Sequence, residues 1–220
     1  MTIFEDELSD LKVQILKMGS LVEEAIVRSI KSLVERNSAL AHQVIENEAR
    51  INSYDVNIDE ECIRLIALRQ PTAGDLRFIT TAMKITTDLE RMGDYAVDIC
   101  ERVLELNEEP QLKPYIDIPR MAEIAEGMVH DALQAFLGKN TALAYEVVNR
   151  DDEVDQLTVQ IFNELLLFMI KDSSTITRAI KISYISKYLE RIADHATNLA
   201  EMVVYMIEGK MIRHIKDLED

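Results

Sequence analysis

Tryptophan is absent, and aromatic residues make up only 5% of the chain. Glycine occurs six times and proline four times in 220 residues. So few turn-formers exclude a turn-rich architecture, and the abundance of Leu, Ile, Ala, Glu and Met points to an all-helical protein. Cysteine is limited to Cys62 and Cys100. Their spacing excludes a paired zinc motif, and both fall within helical patterns, as buried thiols of a reducing compartment would. Positive charge is scarce: 24 Lys and Arg stand against 40 Asp and Glu, for a net charge of −16. A nucleic-acid duplex or an anionic lipid surface would be repelled, whereas cationic partners and metal ions are favoured. No apolar run approaches the ~18 residues needed to span a bilayer. The opening MTIFEDELSDLK is acidic and amphipathic, unlike a secretion signal, so the expected location is cytoplasmic, peripheral to the inner membrane at most through protein partners.

What is present is helical periodicity. Three of the four prolines lie in NEEPQLKPYIDIPR, residues 107–120, which marks the main break in the chain. Pro71, in RQPTAGDLR, marks another. The pattern predicts six long helices, over 5–36, 39–69, 75–106, 118–137, 141–171 and 175–208, with Asn37 and Asn140 as N-caps. Short connections make antiparallel neighbours. The expected fold is therefore all-α, with two tandem antiparallel three-helix bundles covering 1–109 and 110–220.

The two halves repeat. DLERMGDYAVDICE at 88–101 returns as YLERIADHATNLAE at 188–201, and Asn37-SALA-HQVI returns as Asn140-TALA-YEVV. The offsets are 100 and 103, far longer than solenoid periods, so they indicate an internal duplication with pseudo-symmetry. In the third helix Phe78, Ala82, Ile85, Leu89, Met92, Ala96, Ile99 and Val103 alternate by four and three, a seam that faces a core. Ile182, Ile185, Leu189, Ile192, Ala196, Leu199 and Val203 repeat it in the sixth.

At about 100° per residue, Glu90, Asp94, Asp98 and Glu101 share one face opposite that seam. Glu190, Asp194, Asn198 and Glu201 do the same in the sixth helix. Like charges three and four residues apart repel, which a purely solvated face would relieve with interleaved lysines. Antiparallel pairing brings Asp55 and Asp59 level with residues near 86–90, and Asp151 and Asp155 level with 190–194. By the offset of 103, however, the counterparts of Asp151 and Asp155 are Glu48 and Asn52, so the ligand positions on the second helix are open by about two turns. A set of carboxylates without His or Cys is a hard oxygen site, suited to Mg, Mn, Ca or Fe ions, with Zn a poorer fit. The Glu-x-x-His pairs of di-iron bundles are missing, and His195 points away from the acids while His42, His130 and His214 form no cluster.

These stretches, with FEDELSDLKVQILKMGSLVEEAI, DEECIRLIALRQPTAGDLR, DDEVD and VVYMIEGKMIRH, resemble the PhoU family over almost the full length. The resemblance implies two three-helix bundles with surface metal ions held by Asp55–Asp59, Glu90–Asp94, Asp151–Asp155 and Glu190–Asp194. Asn198, where the first copy has Asp98, predicts a second site of lower charge. It also implies a cytosolic negative regulator of phosphate uptake and of the phosphate-starvation response. Such a protein would be an adaptor between the ATPase subunit of a phosphate ABC transporter and a sensor histidine kinase, not an enzyme, and a homodimer is left open. A metal-dependent phosphohydrolase and a plain helical scaffold are the alternative readings of the same acids.

Overall fold

The structure is a computed structural model and describes residues 3–209; His214 lies outside the described residues. Six helices follow one another: α1 Ile3–Val34, α2 Ser38–Arg69, α3 Ala73–Asn107, α4 Asp117–Gly138, α5 Thr141–Lys171 and α6 Ile176–Glu208. A 3₁₀ turn, Ser173–Thr175, joins the last two. Helices α1–α3 pack on one another as one antiparallel bundle and α4–α6 as a second. The bundles meet through α3 against α6 and α1 against α4.

The boundaries follow from local chemistry. Asn37 and Asn140 each accept a hydrogen bond from the backbone N–H three residues on, Leu40 and Leu143, which satisfies a donor that a helix start leaves open. The residues just before them, Arg36 and Lys139, both take left-handed φ values, 52° and 50°. The turn is thus duplicated along with the helices. Replacing Asn140 by alanine is expected to cost about 1 kcal/mol of stability. Urea unfolding would show it as a lower midpoint at constant slope, and an unchanged midpoint would refute the capping role.

Gln70, also left-handed at 47°, ends α2 ahead of Pro71. Pro119 falls in the first turn of α4, where its missing N–H has no intrahelical partner to lose.

Every residue of the α3 and α6 seams is buried. The hydrophobic core runs through both bundles without a break. Between them, Phe78 of α3 stacks on Phe136 of α4 at 5.1 Å, and Gly19 of α1 lets Leu133 of α4 occupy the space that a Cβ would take. Across α3 and α6, Asp88 meets His195 at 2.7 Å, while Tyr95 stacks on Tyr188 at 6.0 Å. These contacts join equivalent positions of the repeat, 88 with 195 and 188 with 95, so the pseudo-twofold passes between them. Cys62 and Cys100 are free and buried, and burial pushes both thiols up to about 12.

Candidate metal centre

The acids of α3 lie on the flank that α2 covers, not on the far side of the bundle. Glu90, Asp94 and Asp98 are consequently half-buried rather than fully solvated. A third helix packed against one side of the seam leaves no fully open flank, which single-helix geometry cannot register.

The first cluster centres on Glu48, Asp55, Glu90, Asp94 and Asp98. Burial raises the Glu48 carboxyl above its usual range, and the charges of Asp94 and Asp98 add to the rise. Burial also raises Glu90, followed by the Asp94 charge, with Arg91 opposing and with Asp55 and Glu48 contributing. Asp98 is raised by burial, then by Glu101 and Asp94. Asp55 is raised by burial and by Asp59, against a hydrogen bond from Thr86. Two anions on α2 and three on α3 thus sense one another across the helix pair. Asp59 sits one turn beyond Asp55, towards Cys62. Glu101 is exposed and turned to Arg102 at 3.3 Å.

In the second bundle Asp155 is exposed as a residue, yet desolvation of its carboxyl leads its upward shift, followed by Glu190, Asp194 and Asp152. Lys187 holds Glu190, and Arg191 reaches Asp194 at 3.1 Å. Asp151 and Asn198 are half-buried on the same helix pair, and Glu201 is half-buried on the acid face of α6.

Glu48 and Asn52 escaped the spacing argument, which placed the α2 acids at Asp55 and Asp59. The signal for them was the offset of 103 from Asp151 and Asp155. Asn52 Oδ1 is buried without a hydrogen-bond partner, and the Asn52 side chain bonds Glu48. A buried lone amide oxygen beside carboxylates that repel one another is the environment a hard cation would satisfy. Among the described residues no three His, Cys, Asp or Glu side chains converge as they stand into a cage for an ion. The arms that spread the acids are exposed arginines, Arg91 on Asp94 at 3.2 Å and Arg191 on Asp194. Such surface ion pairs hold by roughly 0–1 kcal/mol, so a divalent ion could displace them. The chemistry of the donor set fits a hard metal ion, which Glu48, Asn52, Asp55, Glu90, Asp94 and Asp98 would hold in the first bundle. In the second, the equivalent set is Asp151, Asp155, Glu190, Asp194 and Asn198.

The family model for the PhoU domain matches the chain twice, at residues 15–103 and 118–203. A phosphate-specific transport system accessory protein PhoU homolog from Aquifex aeolicus is 45% identical over 208 residues, covering 94% of both chains. The equivalent homolog from Clostridium acetobutylicum is 40% identical over 99% of this chain and 98% of its own. Among solved structures, PhoU from Pseudomonas aeruginosa superposes with a TM-score of 0.91 at 38% identity, covering 94% of this chain and all of that one. The phosphate transport system regulatory protein PhoU from Streptococcus pneumoniae gives 0.89 at 32% identity, over 95% and 99%.

Proposed function

The chain belongs to the PhoU family, and from that premise we propose that it is a negative regulator of phosphate uptake and of the phosphate-starvation response. It acts as a cytoplasmic adaptor between the ATPase subunit of a phosphate ABC transporter and a sensor histidine kinase, with hard metal ions on its two acidic helix faces. The observation that carries the reading is that the family model fits twice, each time over a bundle with carboxylates at equivalent positions. The relatives bear the names of accessory and regulatory proteins of phosphate transport. No helix among the described residues is long and apolar enough to cross a membrane.

Within this reading the chain's own residues carry two tasks. Glu48, Glu90, Asp94 and Asp98 draw a cation to one side of the first bundle. Asp155, Glu190 and Asp194 do so in the second with less charge. A bound ion would supply positive charge that cancels the repulsion within each set, so these residues would hold α2 against α3 and α5 against α6.

Deleting the gene in its host is expected to derepress phosphate-starvation genes in phosphate-rich medium, read by reporter expression, and the wild-type gene should restore repression. Unaltered expression would sink the regulatory role. Elemental analysis of the purified protein, with a thermal-shift series in Mg, Mn and Fe salts, tests the metals separately. No metal and no stabilisation in any of them would remove that half of the proposal and leave the regulation standing.

A further inference from the structure

The α2–α3 and α5–α6 hairpins are equivalent in the repeat, yet their outer surfaces differ. Asp59, Arg64 and Thr80 of the first stand where the second has Phe162, Leu167 and Ile180. Ala67 is likewise replaced by Ile170. Arg64 in the first hairpin is latched to Glu7 of α1 at 3.0 Å, a contact that Leu167 cannot make. The second hairpin also outruns its third helix. Helix α4 begins at Asp117, the counterpart of residue 14 in α1, so about three turns of flanking helix have no equivalent. Gln160 bonds Asp117 at 3.1 Å and marks the level at which α4 starts; beyond it the linker reaches α5 through the Lys113–Glu164 ion pair.

The consequence is an apolar surface at the end of the second bundle. Phe162 is 48% exposed, Leu166 40%, Ile170 72% and Ile180 42%. The spacing of 162, 166 and 170 on α5, and of 176 and 180 on α6, puts these side chains on the flanks where the two helices meet. The antiparallel register that sets Asp155 beside Glu190 and Asp194 brings Leu166 level with Ile180. By spacing and register they flank the shallow furrow that lies between any two packed helices. Its apolar end has no free acid, because Glu164 is held by Lys113 and Asp172 by the backbone N–H of Ser174. Eleven residues along α5, about 16 Å away, the same groove becomes acidic at Asp155, Glu190 and Asp194, with Lys187 and Arg191 only partly offsetting them.

We propose that this groove docks an amphipathic helix of a partner protein, with apolar side chains at i, i+4 and i+7 seated on Phe162, Leu166 and Ile180 and with basic residues at the end that meets the acids. Helix-in-groove recognition needs this combination of an apolar floor and one charged end. The net charge of −16 opposes an anionic bilayer as the occupant, and it opposes a second copy, which would bring its own acids into the contact. The inference concerns a surface that the metal reading does not use at its apolar end, so either can fail alone.

The test uses the full chain in chelator-containing buffer at physiological salt. Synthetic helices of about 20 residues carry one leucine stripe, with lysines at the N-terminal end, lysines at the C-terminal end, or glutamates at both ends. Fluorescence anisotropy should show binding of one lysine peptide and little of the glutamate peptide. The double variant Phe162→Asp/Leu166→Asp should weaken that binding about tenfold or more, whereas Ile63→Asp, at the equivalent place on the first hairpin, should leave it unchanged. Far-UV circular dichroism checks the fold, and Ile170→Asp, more exposed still, replaces the double variant if helicity drops. Equal binding by the double variant, or of the glutamate peptide, would overturn the proposal. So would a wild-type dimer in light scattering that the double variant abolishes, since the second copy would then be the occupant. Sedimentation of the wild type, but not of the variant, with phosphatidylglycerol vesicles would overturn it in favour of lipid.

Discussion

Replacing Phe136 by alanine is expected to lower the unfolding free energy by about 3–5 kcal/mol, the range for emptying a buried aromatic site. Phe136 has no exposed surface and stacks on Phe78 across the boundary between the bundles. The cavity would open where α1, α3 and α4 converge, beside Leu133 and Gly19. Helices held from both sides cannot collapse into it, so the cost falls towards the upper end. Because one core serves both bundles, the loss should appear as a single transition with a lower urea midpoint and an unchanged slope. Tyr145→Ala, at a position 40% exposed, serves as the control and should stay within about 0.5 kcal/mol. Two separate transitions, or a change in Phe136→Ala no larger than in the control, would show that the bundles do not share this packing.

The second large effect is linkage between protons, metal and stability. Glu48, Asp55, Glu90, Asp98 and Asp155 all titrate above their ordinary values of 4.5 for Glu and 3.8 for Asp, with burial as the leading cause. The folded chain therefore binds these protons more readily than the unfolded chain. Their contribution is fully present below the ordinary values and is lost as pH rises through the raised ones. Glu7 works in the other direction: the bonds from Arg69 and Arg64 hold it down at about 2, so its contribution is present above 4.5 and is lost as pH falls towards 2. Between these limits the metal-free protein should melt at a higher temperature near pH 5 than near neutrality. The Glu48→Gln/Glu90→Gln variant should melt higher than the wild type at neutral pH and show a flatter profile.

The proposed metal ion would relieve the same repulsion by another route. At a free concentration about one hundred times its Kd, one bound ion adds about 2.7 kcal/mol, a gain that should shrink near pH 5 as protons compete for the carboxylates. Differential scanning calorimetry of the metal-free and manganese-loaded protein at both pH values reads all of this. A melting temperature that falls steadily from neutrality to pH 5, in wild type and variant alike, would show that the acids do not repel one another in the folded chain.

Much of the fold was legible because it is written locally. The alternating apolar seams, the two asparagine caps and the proline cluster each act over a turn or two, and the helices lie within two residues of their expected bounds. The duplication was legible because both offsets can be counted. The acids of α3 and α6 were legible as faces for the same reason. Their surroundings were not: helix periodicity gives a direction from one axis, whereas the half-burial of Glu90 and Asp98 depends on where α2 lies. Glu48 illustrates the gap. Its approach to Asp94 depends on the sliding register of α2 against α3, which the turn at Gln70 and packing at Gly93, against Ile51, help to set.

By itself, then, the sequence determined the helices, their duplication, the acidic surplus and the residues that carry the family resemblance, since each depends on residue type and spacing along one chain. Only the tertiary structure decided which acids face one another, that Asn52 presents a buried unpaired oxygen, that His195 bonds Asp88 across the two bundles, and that the apolar end of the second hairpin stands clear of α4. Those outcomes depend on register, crossing and helix length between elements distant in the chain, quantities that no single helix's periodicity encodes.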